Sequence, residues 1–343
     1  MSRINSRGEN VRRFILENVE RHPNDIGRVT AEKFKITRQA ANKHLQKLTA
    51  EYALTESGNT KGKTYRLCPH TEWRKIYEIS SNLAEDVVWR EDIAPALGQL
   101  PGNVMNIWHY GFTEMFNNAI DHSGGRSIFV HLKKTAVDSE MFISDDGVGI
   151  FKKIQAAMNL LDERHAILEL SKGKLTTDPK NHSGQGIFFT SRMFDSFDIL
   201  SGGVFFSHEF GAEEDWVLER ERANEGTGVW MKLNNHTSRT ERKIFDQFSS
   251  GDDFGFNKTV VPVRLAQYGN DQLISRSQAK RVLSRVEQFK VVIFNFEGVL
   301  TIGQAFADEI FRVFSNNHPE MQLLVEKASS DVKRMIARAR VEM

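Results

Sequence analysis

The 343 residues are 40% hydrophobic and 27% charged, an ordinary globular composition with enough length for two or three domains. No run of about 18 apolar residues and no apolar segment of a secretory signal after MSRINSRGENVRR are found, and the lone Cys68 excludes an internal disulfide or a cysteine-built zinc site, so no membrane association and a reducing cytoplasm are expected. The net charge of +1 hides an asymmetry: residues 1–68 carry 14 Lys and Arg against 7 Asp and Glu, which leaves a balance of −6 on the rest, so the first segment is expected to meet a polyanion.

Residues 9–21 read as a helix with Val11, Phe14, Ile15 and Val19 on one face, broken at His22-Pro23-Asn24-Asp25. Residues 29–34 form a short second helix, and Thr37 is a good N-cap for a third that buries Ala41, Leu45 and Leu48. Its other face offers Arg38, Gln39, Asn42 and Lys43, donors suited to base edges and phosphates. Residues 54–67 read as a hairpin whose glycine-rich tip carries Lys61 and Lys63. Three helices followed by such a hairpin resemble a winged helix-turn-helix, which implies contact with double-stranded DNA through those six residues. A winged helix used for protein contact and an unrelated small helical domain are the alternatives.

Residues 69–107 are aromatic-rich and mostly helical in pattern, broken at Pro95 and Leu100-Pro101-Gly102, and are expected to form a helical connector in which Trp73 and Trp89 pack. A helical run then places Glu114, Asn118 and His122 four apart on one face. Apolar strand patterns at 127–132 and 141–144 follow, the second running into Asp145-Asp146-Gly147-Val148-Gly149, a strand end where backbone can approach a ligand closely. Further on, Ser183-Gly184-Gln185-Gly186 opens a helix over 186–197, a setting that presents bare N–H groups to a phosphate. Strands are expected at 198–201, 204–208 and 229–233, the last preceded by Glu225-Gly226-Thr227-Gly228.

Each piece alone is commonplace, and each of these residues has an ordinary structural alternative. The ordered set resembles the nucleotide-binding fold of the GHKL ATPase superfamily, which includes type II topoisomerases, mismatch-repair ATPases, histidine kinases and anti-sigma-factor kinases. The likeness covers about 108–235. It implies ATP and magnesium as cofactors. Asn118 would hold the Mg ion, Asp145 would accept a hydrogen bond from the adenine amino group, and Thr227 would lie near adenine. Gly147, Gly149, Ser183, Gly184 and Gly186 would line the nucleotide. Glu114 would act as general base, pointing to hydrolysis or transfer to a hydroxyl. His122 and Asn117 are expected to be structural or to support the ligand's neighbours. The interval 151–183, helical around Ile154, Met158, Leu161, His165, Leu168 and Leu170, corresponds to the family's ATP lid, in which Lys172 and Lys174 either reach phosphate oxygens or are solvated.

Residues 241–343 alternate strands (260–265, 291–296, 321–325) with helices (277–286, 303–311, 330–340), a small α/β layer. The stretch from Val291 to Gly303 resembles the central strand and loop of STAS domains, although Gly303-Gln304-Ala305 lacks the phosphorylatable serine of anti-sigma-factor antagonists. Arg276, Lys280, Arg281 and Arg285 are expected to be a solvated basic face.

The expected fold class is therefore multidomain α+β. A winged helix occupies 1–68 and a helical connector 69–107. A GHKL α/β sandwich, a mixed sheet with helices on one face, occupies 108–237, and a small α/β STAS-like domain 241–343. The expected function is an ATP-binding regulator that hydrolyses ATP with magnesium and binds DNA, with nucleotide state controlling DNA or partner binding. The alternatives are a serine/threonine kinase of the anti-sigma type and a nucleotide-gated binding module without turnover. A protein partner at the STAS-like domain and a homodimer are compatible with the sequence.

Overall fold

A computed structural model describes residues 6–59, 62–175, 184–212, 215–250, 255–267 and 272–341. The N-terminal unit comprises α1 (Ser6–Asn18), α2 (Ile26–Phe34) and α3 (Arg38–Ala50), followed by an antiparallel hairpin of β1 (Leu54–Ser57) and β2 (Thr64–Leu67). Thr37 caps α3, its Oγ1 accepting the Ala40 N–H at 3.1 Å. Val11 and Ile15 of α1 and Val19 just past its end, four positions apart, bury with Leu45 and Leu48 of α3.

Residues 71–78 differ from the helical expectation. Thr71–Glu78 is β3, paired over all eight residues with β4 (Ser127–Lys134). Trp73 and Tyr77 turn inward while Glu72, Arg74, Ile76 and Glu78 are exposed, a period of two masked by the charged residues between the aromatics. The helical character of the connector begins later, with α4 (Glu85–Val88), a π-helical turn over Trp89–Ile93 and α5 (Ala94–Leu97).

The 21-residue α6 (Gly102–His122) buries Ile107, Trp108, Phe112 and Phe116. After β4 come β5 (Asp138–Asp145), α7 (Ile150–Met158), α8 (Glu163–Lys172), α9 (Gly186–Met193), β6 (Ser196–Glu209) and β7 (Trp216–Asn234). The two short strands expected around 198–208 are one strand, β6, whose pairing with β7 shifts register around Gly202. Glu225–Gly228 lies inside β7 and not before it. The five-stranded sheet runs β3-β4-β5-β7-β6 with every pairing antiparallel. Ile128, Val130, Leu132, Met141, Ile143, Met231 and Leu233 supply its buried face, against which α6 and α9 pack.

The C-terminal unit comprises α10 (Glu241–Gln247), β8 (Lys258–Pro262), a 3-10 turn over Val263–Ala266, α11 (Arg276–Leu283), β9 (Val291–Asn295), α12 (Gln304–Asp308), a π-helical turn over Glu309–Phe314, α13 (Ser315–Asn317), β10 (Gln322–Glu326) and α14 (Ser330–Val341). Its sheet, β10-β9-β8, is parallel at both pairings. The mixture of strand directions expected within the central sheet thus lies between the two sheets. One continuous apolar core runs through the central and C-terminal units, while the N-terminal unit has its own, touched by Ala136 and Val137 of the β4–β5 turn. No helix among the described residues is long and apolar enough to cross a membrane.

Candidate functional site

A cavity of about 270 Å³ opens between α6, α7, α9 and the end of the central sheet. Its floor is a cross-strand row: Ile143 of β5 faces Val229 of β7, which faces Ile199 of β6. Ile150 and Ile154 of α7 extend this apolar surface. A flat, largely apolar ring would bury well there.

Asp145 ends β5 two residues beyond Ile143, on the same face of the strand. Its Oδ1 accepts the Gly147 N–H at 2.9 Å and the Thr227 N–H at 3.3 Å. Burial is the largest influence on this carboxyl and raises its pKa, with those two backbone hydrogen bonds opposing. The turn around it needs glycine. A Cβ on Gly226, which has φ of +73°, would lie 2.0 Å from the Asp145 carbonyl oxygen. One on Gly147 would lie 2.2 Å from the Ser123 carbonyl oxygen. Gly149 also has positive φ, +93°, and sits against Ser201 and Gly226. Thr227 Oγ1 accepts the Ile150 N–H at 3.0 Å, tying β7 to the first turn of α7.

Polar groups enter from the helices. Glu114, Asn117, Asn118 and His122 all line the cavity from α6. Gly186, the first residue of α9, lies so close that an added Cβ would fall 1.9 Å from Glu114 Oε2. Tyr110, one turn before Glu114, has its hydroxyl pKa raised by burial first and by the Glu114 charge second. Gly184 also lines the cavity, with φ of +66°, and its carbonyl accepts the Leu175 N–H at 3.0 Å. The cavity therefore has an apolar floor, an acceptor at Asp145, and a carboxylate, amides and helix-start N–H groups around it.

Glu114, Asn118, Asp145, Gly184, Gly186 and Thr227 are thus brought together, while Gly147 and Gly149 shape the turn beneath. Ser183 lies outside the described residues. The two lysines expected near phosphate are elsewhere. Lys174 donates its Nζ to the Gln288 carbonyl at 2.8 Å and stacks over Phe289, 4.6 Å from the ring centroid, because the chain turns outward after α8. Lys172 is fully buried and paired with Glu169 at 2.7 Å, neither solvated nor facing the cavity. Among the described residues, Lys153 on α7 does line it and was missed. Its Nζ donates to the His122 carbonyl at 2.7 Å. Its position one helical turn after Gly149 was the available signal.

Among the residues expected to meet DNA, Arg38, Gln39, Asn42 and Lys43 are exposed together on α3. Lys61 lies outside the described residues. Lys63 is committed to Glu56 at 2.7 Å and to the Tyr65 ring. The expected solvated basic face of the C-terminal unit is divided. Arg276 and Lys280 are exposed, whereas Arg285 is drawn inward to Glu169 at 3.2 Å. It lies two residues beyond α11 and pairs with a buried carboxylate 116 positions away, which the local spacing does not reveal.

No curated protein matches the chain. Residues 278–333 match the family described as "STAS-like domain of unknown function (DUF4325)". The match runs from α11 into α14 and takes in β9 and β10, so the C-terminal unit carries a STAS-like domain, to which β8 adds a strand from outside the matched segment.

Proposed function

We propose that the cavity binds Mg-ATP in the manner of the GHKL superfamily and that the N-terminal unit is a winged helix that binds duplex DNA. Six residues drawn from positions 114 to 227 line one cavity, and that convergence carries the proposal. The residues fit the nucleotide. The Ile143–Val229–Ile199 floor suits a purine ring. Asp145 has Oδ1 engaged by backbone N–H groups, which leaves Oδ2 to accept from an exocyclic amine. Gly184 and Gly186 offer backbone without side chains at the start of α9 for phosphate oxygens. They fit magnesium as well. Among the described residues no cluster of three His, Cys, Asp or Glu could hold a metal. Mg ion in nucleotide sites takes few protein ligands and completes its shell with phosphates and water, and the Asn118 amide oxygen would be one such ligand. Glu114, packed at the first turn of α9, orients and deprotonates the attacking water or hydroxyl.

The exposed residues of α3 and the charge balance of +7 on residues 1–68 support the DNA assignment. The protein is then a regulator in which nucleotide state controls DNA or partner binding, and DNA and ATP alter each other's affinity reciprocally. The test follows γ-labelled ATP with magnesium, with and without duplex DNA, for wild type and Glu114→Ala. Free phosphate that is lost in Glu114→Ala establishes hydrolysis. Label on a protein would replace hydrolysis by kinase activity, label left on tightly bound ATP would leave a nucleotide-gated binding module, and absence of binding would end the proposal.

A further inference from the structure

We infer that Arg285, contributed by the STAS-like C-terminal unit, is a positioning residue for the cavity wall formed by Leu175 and Gly184, an inference that rests on the nucleotide reading above for its ligand. The end of α8 leaves carbonyl groups without helical partners. The last of them, that of Lys172, and the two carbonyls that follow it are taken up by side chains from the C-terminal unit. The Lys172 carbonyl accepts Thr259 Oγ1 at 2.7 Å, the Gly173 carbonyl accepts Arg285 Nη2 at 3.3 Å, and the Lys174 carbonyl accepts the same nitrogen at close range. The next residue, Leu175, lines the cavity and donates its N–H to Gly184, which also lines it. The wall is therefore hung from the C-terminal unit one residue before it reaches the ligand.

The attachment is reciprocal. Lys172 Nζ crosses the other way to the carbonyls of Arg281 at 3.0 Å and Ser284 at 2.8 Å. Glu169, only 3% exposed, lies between the two cations, 2.7 Å from Lys172 and 3.2 Å from Arg285. The backbone is bent to make these contacts. Arg285 and Lys174 both sit in the left-handed region, at φ of 62° and 52°, a conformation that costs free energy in residues with a Cβ. The same segment passes close to the C-terminal unit: a Cβ on Gly173, which has φ of +79°, would fall 2.6 Å from the Phe256 ring, so only glycine fits there. A single guanidinium thus serves a buried carboxylate with one nitrogen and two wall carbonyls with another, a geometry that an ammonium does not reproduce.

The experiment compares the full-length wild type with Arg285→Ala and Arg285→Lys. Ile336→Ala, which loosens the C-terminal core at α14 away from the wall, is the control. Arg285→Ala leaves Glu169 paired with Lys172, so no buried charge is orphaned and the variant is expected to fold. Two quantities are measured, Mg-ATP affinity by calorimetry and hydrogen exchange at the Leu175 amide. Arg285→Ala is expected to weaken Mg-ATP about tenfold, within the usual range of coupling between sites, and to speed exchange at Leu175. Arg285→Lys falls between it and wild type. Ile336→Ala melts earlier yet keeps Leu175 exchange unchanged and affinity within about twofold, as for distant independent sites. Wild-type values for both quantities in Arg285→Ala, or equal losses in Ile336→Ala, overturn the inference. If the wild type binds no Mg-ATP, the nucleotide reading fails by itself, and Leu175 exchange in Arg285→Ala still decides whether Arg285 braces the wall.

Discussion

The two ends of the molecule are joined to the central unit by opposite chemistry. At the N-terminal joint, Ala136 and Val137 from the tip of the β4–β5 turn rest on the small core built by Val11, Ile15, Leu45 and Leu48. The turn is stiff, because Thr135 Oγ1 donates to Asp138 at 2.7 Å and Asn235 Nδ2 donates to the Thr135 carbonyl at 3.0 Å. The contact it makes outward is nonetheless small and apolar. At the C-terminal joint the apolar core is continuous, and the buried Glu169 and Lys172 and the partly buried Arg285 make directional bonds across it. Small apolar contacts can part and re-form at little cost, whereas separating a buried ion pair leaves an uncompensated charge and costs much more. The N-terminal unit is therefore joined by a small apolar contact, and the STAS-like unit by a shared core and directional bonds.

The sharpest way to break that contrast is Glu169→Ala. It strands the Lys172 ammonium, which burial already pushes toward its neutral form, and removes one partner from Arg285. Removing one member of a buried ion pair costs about 3–5 kcal/mol. Denaturant unfolding should show that loss in the transition of the central and C-terminal units together. Loss confined to a separate C-terminal transition would mean that the two units do not share one frame.

Gly186→Ala comes next and tests the cavity directly. The added methyl would lie 1.9 Å from Glu114 Oε2, so the carboxylate or the start of α9 must move. Overpacking of this kind costs about 1–3 kcal/mol, and here it falls on ligand affinity and on the position of the base. Mg-ATP titration should show weakened binding with little change in Tm. A Tm loss with unchanged affinity would place Gly186 in the fold alone.

The difference between the joints was only partly legible in the sequence. Thr37 and the hydrogen bond from Gly147 to Asp145 join residues two or three apart, and the Glu114–Asn118 spacing is one helical turn, so local patterns carry such information. Strand β3 was hidden because its pairing partner lies some fifty positions on and its own alternation is crowded with charges. Lys172 and Lys174 were read as cavity or solvent residues because the carbonyls they bond sit 109 to 114 positions away in a unit whose docking no local pattern encodes. Arg285 was assigned to a solvated face for the same reason. The family resemblance pointed to the residues that were to meet a ligand, but it had nothing to say about what holds them in place.

A smaller effect is expected from pH. Burial raises the Asp145 pKa, so folding disfavours its ionised form. Its contribution to stability therefore grows as pH falls through the raised folded value toward the unfolded value, opposite to that of a salt-bridged carboxylate. Ligand binding runs the other way. Protonation of Oδ2 turns the free acceptor into a donor facing an amine, so nucleotide affinity should fall as acid titrates Asp145. Calorimetric titrations from neutral pH downward should show affinity dropping at a pH above the ordinary aspartate value, with the drop absent in Asp145→Asn. Affinity flat with pH in the wild type would remove Asp145 from ligand contact.

The smallest change in stability, about 1 kcal/mol or less, should come from Val137→Ser, which removes one partly buried apolar contact at the N-terminal joint. Its value lies in what it separates. Arg38, Gln39, Asn42 and Lys43 are untouched, so DNA affinity without nucleotide should match wild type. The β4–β5 hairpin runs from the joint at Val137 to the cavity at Asp145, so any influence of Mg-ATP on DNA affinity has a direct route along β5. If that route is used, Val137→Ser should reduce the ratio of DNA affinities measured with and without Mg-ATP while leaving each binding site intact. A ratio unchanged from wild type would move the coupling to β3, whose first residue, Thr71, lies four positions beyond Leu67, the last buried residue of the N-terminal core in the chain.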